Sequence, residues 1–141
     1  RCLSDWSSDV CSSDLLAKRV AIDHRIVFEV LFTREKLGST GIGQGIAIPH
    51  GKLSTLDRVY GVFARLAAPV EFEAVDGQPV DLVFALLAPD HAGADHLKAL
   101  ARISRLLRDP AIVAKLRGTD TPEGLYAILT EPSAGASASA A

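Results

Sequence analysis

The 141-residue sequence lacks any apolar run near the roughly 20 residues that a membrane-spanning helix requires. It has only two cysteines, Cys2 and Cys11, and their position in an atypical opening segment gives little support to a disulfide framework. It also lacks an excess of charge, because the formal net charge is −2. No basic field therefore indicates nucleic acid or an anionic membrane as a partner. We expect a soluble, cytoplasmic protein, without membrane insertion, whose partners are proteins or small molecules.

The opening segment differs from the rest of the chain. Residues 4–15 read SDWSSDVCSSDL and show neither helical nor strand periodicity. They resemble a translated sequencing adapter, and we interpret residues 1–15 as a non-native leader. A signal peptide, which would need a basic start and an apolar centre, and an ordinary polar tail are the alternatives. If the leader is non-native, Cys2, Cys11 and Trp6 have no function.

Hydrophobic patterns downstream predict helices alternating with strands. Residues 15–22 resemble the last turns of a helix, and Asp23 can cap a second helix that ends at Gly38. The alternating residues near 59–67 predict a strand largely buried on both faces. The continuous apolar run at 80–88 predicts a central strand, since both faces of such a strand are covered. Asp76-Gly77 predicts the turn between them.

The C-terminal part is predicted to be helical. Asp95 begins an amphipathic helix, and Asp109 and Thr121, each followed by proline, are typical N-caps of two shorter helices. The apolar stripe of the amphipathic helix consists of Leu97, Leu100, Ala101, Ile103, Leu106 and Leu107. Strands interleaved with helices favour an α/β fold with a sheet covered on both faces. We predict one domain over residues 16–130 and a disordered tail over 131–141.

The stretch GQGIAIPHG, residues 43–51, indicates a functional histidine. Glycines allow backbone amides to approach an anion, and Pro49 fixes the chain direction ahead of His50. A neutral imidazole is a good nucleophile toward phosphorus, although a loop histidine bonded to its own backbone is the plain alternative. The stretch is not a nucleotide loop, because it lacks the Gly-Lys-Ser/Thr ending. ATP is therefore not the expected donor.

Together with TREKLGSTGI at residues 33–42, this stretch resembles the phosphorylation site of the enzyme IIA domains of the bacterial phosphotransferase system, fructose/mannitol class. The nitrogen-type regulatory member is the most similar. The resemblance covers about Leu16 through Thr130. It implies a three-layer α/β/α fold with a mixed sheet, from which the N-terminal strand and part of the first helix are missing.

The resemblance also implies roles for particular residues. His50 would accept the phosphoryl group, His96 would donate a hydrogen bond to it, and Arg34 would bind its oxygens. Second-line phosphate ligands are the hydroxyls of Ser39 and Thr40 and the amides of the glycine run, Gly43 and Gly45 among them. His91 has no counterpart and is expected at the surface.

The implied donor is a phosphohistidine on a small histidine phosphocarrier protein. Regulatory target proteins are the implied partners that sense whether His50 is phosphorylated. Alignment and charge stabilisation suffice for such a transfer, so we expect no cofactor and no metal. Because the donor must dock over His50, an apolar patch is expected around it. Its predicted members are Ile42, Ile46, Leu53 and Leu56.

Three alternatives remain open. The same chemistry could serve sugar uptake by passing phosphate to a transporter cysteine. A hydrolase or metal site could combine His50, His91 or His96 with Asp90 or Asp95, although the spacing matches neither a zinc site nor a catalytic triad. The glycine loop could also belong to a module that only binds an anion.

Overall fold

The computed structural model describes residues 21–131. The predicted leader at 1–15, most of the helix end predicted at 15–22 and the predicted tail at 131–141, apart from its first residue, lie outside the described residues. The described helices and strands are α1 (His24–Lys36), β1 (Gly41–Gly43), β2 (Ile46–Ala47), β3 (His50–Lys52), β4 (Tyr60–Val70), β5 (Val80–Ala88), α2 (Gly93–Leu107), α3 (Pro110–Arg117) and α4 (Pro122–Thr130).

The strands form one five-stranded mixed sheet around β5. Strand β5 pairs antiparallel with β4 and parallel with both β2 and β3. Most of its side chains are fully buried, as the continuous apolar sequence at 80–88 predicted. The mixed sheet with helices confirms the predicted α/β class.

Strands β2 and β3 are two parts of one interrupted strand. Ile46 pairs with Leu82 and His50 with Leu86, so both parts keep the same register on β5. Because β4 occupies the other edge of β5, both must lie on the same edge. The interruption falls at Ile48-Pro49, where proline has no amide hydrogen to donate. The Pro49 carbonyl still accepts a hydrogen bond from the amide of Leu86 at 2.9 Å.

The strand predicted at 59–67 is present as β4, but the prediction that both faces are largely buried was wrong. Ala64 and Leu66 are buried, whereas most other positions of β4 are half-buried or exposed. Phe63 is half-buried and contacts Phe84 of β5, with ring centroids 6.3 Å apart. Within the described residues β4 is an edge strand paired only with β5. Side chains of a neighbouring strand therefore flank it on one side only, which leaves many of its own side chains partly exposed.

Helix α1 begins where the sequence predicted. The Asp23 carboxylate accepts the amide hydrogen of Arg25 at 2.8 Å, a cap worth about 1 kcal/mol. Val27 and Leu31 face the core, where they are buried in a cluster with Ala85 and Leu87 of β5. Burial of each large side chain contributes about 1.5–3 kcal/mol, so the helix is held mainly by packing on the sheet.

Helix α2 begins two residues earlier than predicted. It starts at Gly93 instead of Asp95, because the amide of His96 already donates to the Ala92 carbonyl at 2.8 Å and closes the first turn. Leu97 was predicted in the buried stripe but is 67% exposed. The buried residue of this first part of the helix is instead His96, which is 5% exposed.

The described residues divide into two compact units, with the boundary between Ser104 and Arg105. The second unit contains α3 and α4, which begin at the predicted caps Asp109 and Thr121. Each cap side chain accepts an amide hydrogen from the first turn, and proline follows each cap. The single domain expected over 16–130 stays a prediction.

Candidate functional site

His50 lies at the first position of β3, directly after Pro49. Pairing with Leu86 of the central strand fixes its backbone. Its ring is half-buried and its Nδ1 lies 2.8 Å from the carbonyl oxygen of Ile48. Since a carbonyl oxygen only accepts, Nδ1 must hold the hydrogen, and the lone pair of Nε2 is left for another partner. The strand and this hydrogen bond therefore fix both the orientation and the tautomer of the ring.

His96 of α2 lies beside His50. The ring centroids are 5.6 Å apart and the ring planes are inclined by 47°. His96 is only 5% exposed, and its Nδ1 is buried without a hydrogen-bond partner among the described residues. A buried polar atom without a partner is costly, which is typical of sites where a ligand completes the bonding. The ring of His96 is therefore buried beside His50 and is not solvated.

Both imidazoles are kept neutral. Burial lowers the pKa of His50 most, and the positive charge of Arg34 lowers it further, against the raising effects of the Ile48 hydrogen bond and Glu35. Burial also lowers the pKa of His96, followed by the charges of His50 and Lys52. The lowered pKa values favour the neutral rings, which is the form that a nucleophile or a neutral hydrogen-bond donor requires.

Arg34 lies at the C-terminal end of α1, where the sequence predicted it. Its Nη1 donates to the carbonyl of Gly38 at 3.1 Å, and its charge acts on His50. The guanidinium is half-buried and keeps further N–H donors beyond the one bonded to Gly38. Three residues from α1, β3 and α2 are thus brought to one place: Arg34, His50 and His96.

A groove of about 590 Å³ runs between α1, β3 and the start of α2. Arg34 and His96 belong to its lining, together with Ile26, Glu29, Val30, Thr33, Leu37, Gly51 and Lys52. Neither the groove nor Lys52 within it was predicted from the sequence. Lys52 follows His50 by two positions in a strand, so the period of two could have indicated that both face the same side.

Two of the four residues predicted for the apolar patch around His50 are core residues instead. Ile46 and Leu56 are 1% and 6% exposed, and so they belong to the core. Ile42 and Leu53 are half-buried. The large apolar side chains of Ile26, Leu37 and Leu97 are exposed. Ile26 and Leu37 belong to the groove lining, and Leu97 follows His96 in α2.

The hydroxyls of Ser39 and Thr40 are engaged inside the protein. Ser39 donates to the Phe72 carbonyl at 3.2 Å and accepts from the amide of Gly41. Thr40, which is 6% exposed, directs both its amide and its hydroxyl to the carboxylate of Glu35. Neither hydroxyl is free for a phosphoryl oxygen in this arrangement.

The structure does not bring Gly43 and Gly45 to His50. Their turn lies four strand positions away, since the amides of Asp81 and Leu82 donate to the Gly45 carbonyl while His50 pairs with Leu86. Four strand residues span about 13 Å. Asp76 holds this turn, because its carboxylate accepts the amide of Gln44 at 2.8 Å. The glycines provide the left-handed backbone of the turn, with φ of 93° and 78°.

His91 is exposed, as expected. Among residues 21–131 no group of three or more His, Cys, Asp or Glu side chains is arranged to hold a metal ion. The same stretch contains no helix long and apolar enough to cross a membrane.

Residues 11–131 match the family model described as "Phosphoenolpyruvate-dependent sugar phosphotransferase system, EIIA 2". The chain belongs to this family. It is 61% identical over 112 residues to the nitrogen regulatory protein of Bradyrhizobium diazoefficiens, a match that covers 79% of this chain and 73% of that relative. The family resemblance inferred from the sequence is therefore confirmed.

Two further relatives broaden the comparison. The crystal structure of nitrogen regulatory protein IIA-Ntr from Neisseria meningitidis superposes with a TM-score of 0.80 at 43% identity, covering 84% of this chain and 82% of that one. The fructose-specific EIIABC component of Bacillus subtilis is 37% identical over 109 residues, covering 77% of this chain but 17% of that protein. EIIA domains act as phosphotransfer carriers, and this chain is such a carrier of the phosphotransferase system.

Proposed function

We propose that Nε2 of His50 accepts a phosphoryl group from a phosphohistidine on a small histidine phosphocarrier protein. The observation that supports this most directly is the hydrogen bond between His50 Nδ1 and the Ile48 carbonyl at 2.8 Å. It leaves Nε2 with a lone pair in a ring whose pKa is lowered, mainly by burial. A neutral, oriented imidazole is the form that attacks phosphorus.

In the proposed transfer, a bond forms between His50 Nε2 and phosphorus while the bond between phosphorus and the donor histidine breaks. The electron pair of the broken bond returns to the donor nitrogen, so no water or metal takes part in the balance. The transition state is loose, and its charge is spread over three equatorial oxygens. Arg34 and His96, one cationic and one a neutral donor, would stabilise these oxygens; their shared groove lining and the closeness of the His96 ring to His50 support this role.

The proposed role is regulation of the nitrogen or potassium type. The supporting observation is the identity of 61% with a nitrogen regulatory protein, against 37% with a fructose-specific component. Phosphorylation adds about −1.5 to −2 charges next to an exposed apolar surface, which is enough to change how a target protein docks. The alternative is a component of sugar uptake that passes phosphate to a transporter cysteine.

The test is to incubate the chain with phosphoenolpyruvate and the two upstream phosphotransferase proteins, and to locate the product by mass spectrometry. The expected product is one acid-labile phosphate on His50. Omission of either upstream protein should abolish it. Binding of inorganic phosphate without any labelling would identify an anion-binding module instead, and an acid-stable or differently placed phosphate would contradict the proposed chemistry.

A further inference from the structure

Glu35 is linked to His50 by an unbroken series of hydrogen bonds. Its two carboxylate oxygens accept the amide of Thr40 at 2.9 Å and the hydroxyl of Thr40 at 2.5 Å. The carbonyl of Thr40 accepts the amide of Ile48 at 3.0 Å. The carbonyl of Ile48 in turn accepts the Nδ1 hydrogen of His50. The carboxylate on α1 thus holds the segment whose carbonyl fixes the tautomer of His50.

The same carboxylate also fixes the surroundings of Arg34. The guanidinium of Arg34 bonds to the carbonyl of Gly38, which lies in the short segment between the end of α1 and Thr40. The amide of Gly38 donates to the backbone carbonyl of Glu35 at 3.1 Å, and Thr40 is held by the Glu35 side chain. Both ends of this segment are therefore tied to Glu35, and the anchor of Arg34 lies between them.

The burial of these groups makes the link strong. Thr40 is 6% exposed and Glu35 is half-buried, so water competes poorly for their hydrogen bonds. Hydrogen bonds to a charged acceptor contribute about twice as much as neutral ones. The exposed Glu71 offers a contrast, since it is a carboxylate on the same chain with no described link to the site.

We infer that Glu35 is a positioning residue of the phosphotransfer site, which through Thr40 orients His50 on one side and Arg34 on the other. This role rests on the proposed phosphoryl transfer to His50. Thr40, which the sequence suggested as a phosphate ligand, acts in this arrangement as the joint between the carboxylate and the two functional side chains. The electrostatic effect of Glu35 on His50, which raises its pKa against the dominant effect of burial, is a second route by which the carboxylate acts on the ring.

The test compares Glu35→Ala, Glu35→Gln, Thr40→Val and Thr40→Ser with the parent and with Glu71→Gln as the charge-matched control. Thr40→Val removes the hydroxyl and keeps the shape, and Thr40→Ser keeps both donors. Two quantities are measured below the melting transition of each variant. The first is the rate of phosphate transfer from the phosphorylated carrier protein, separated into kcat and KM. The second is the tautomer of His50, obtained from the ¹⁵N shifts of its ring nitrogens.

We expect Glu35→Ala and Thr40→Val to lower kcat by roughly 10- to 100-fold with little change in KM, since a small misplacement of reacting groups has that cost. The ¹⁵N shifts should change from the Nδ1–H tautomer toward a mixture. Glu35→Gln should fall between these and the parent, while Thr40→Ser and Glu71→Gln should match the parent in both quantities.

A folded Thr40→Val or Glu35→Ala variant with parental kcat would overturn the inference. A loss of rate without any change in the tautomer of His50 would contradict it as well, because the link would then not act on the ring. If Glu35→Ala does not fold, the kcat and the His50 tautomer of Thr40→Val decide whether the inference holds. Should the parent itself accept no phosphate, the proposed function fails, and the tautomer comparison still tests the link between Glu35 and His50.

Discussion

The imidazole rings of His50 and His96 lie 5.6 Å apart, centroid to centroid, although one belongs to a strand and the other to a helix 46 positions further along the chain. At this distance a phosphoryl group on His50 would lie within hydrogen-bonding reach of His96. The buried Nδ1 of His96 has no partner among the described residues, which supports the proposal that a bound group completes its hydrogen bonding.

Replacement of the proposed acceptor, His50→Ala, should abolish labelling. The fold should persist, because the half-buried ring contributes little to the two core clusters. The measurement is acid-labile phosphate per chain, together with a thermal melt. His91→Ala, which removes an exposed histidine, is the matched control and should label like the parent. Undiminished labelling of His50→Ala would mean that another residue is the acceptor.

Loss of either neighbouring donor should slow transfer without removing the acceptor. We expect His96→Ala and Arg34→Ala each to reduce the single-turnover rate by about 10²-fold or more, as is common for one lost charge-stabilising donor. Arg34→Lys retains the positive charge but loses the planar guanidinium, whose N–H groups can bind two oxygens at once. Its rate should therefore lie between those of Arg34→Ala and the parent. Parental rates in both alanine variants would show that their placement near His50 has no part in transfer.

The pH dependence has a definite sign. The pKa values of His50 and His96 are lowered from 6.5 by burial, so the unfolded chain binds more protons than the folded one as the pH falls. Stability from these groups is therefore complete above about pH 6.5 and decreases below it. Denaturant titrations between pH 5 and 8 should show this decrease, and it should be weaker in His50→Ala. A stability that rises on acidification in this range would contradict the pKa directions.

Gly51→Ala should destabilise the chain through a steric collision. A Cβ at position 51 would collide with Cγ1 of Val30, because α1 packs closely on β3 there. Overpacking of this kind costs about 1–3 kcal/mol. Gly93→Ala is the matched control, since nothing lies within 4 Å of its added Cβ. The free energy of unfolding should fall for the first variant only, and Val30→Ala should restore it by making room; failure of that rescue would locate the cost elsewhere.

The proposed regulatory role predicts different binding in the two phosphorylation states. Pull-downs with unmodified chain, phosphorylated chain and His50→Asp should recover at least one regulatory target in a state-dependent manner. The exposed side chains Ile26, Leu37 and Leu97 are the expected contact residues, and a Leu37→Asp variant should lose this binding. Recovery of only a sugar transporter component, with phosphate transfer to its cysteine, would instead assign the chain to uptake.

Local patterns in the sequence predicted much of this fold. The cap at Asp23 and the starts of the two proline-started helices depend on contacts between residues close in sequence, and the central strand over 80–88 is indicated by its continuous apolar run. The burial of His96 did not follow, because it depends on tertiary contacts such as the one with the His50 ring, and the start of α2 at Gly93 has no cap in the sequence that marks it. The groove and the bond between Glu35 and Thr40 arise only when α1, β3 and the loop between them are assembled.

His50 directly follows the interruption between β2 and β3 at Pro49. The backbone of His50 pairs with Leu86 of the central strand, and the Pro49 carbonyl accepts the amide of Leu86. His50 therefore does not lie on a flexible loop that could carry its ring to another place. If His50 carries the proposed phosphoryl group, a protein that receives it must approach the same ring that the donor approached. The donor protein and the acceptor protein would therefore compete for one binding surface and could not occupy it at the same time. The concentration of unphosphorylated carrier protein would then affect how long the chain stays phosphorylated before a target protein binds it.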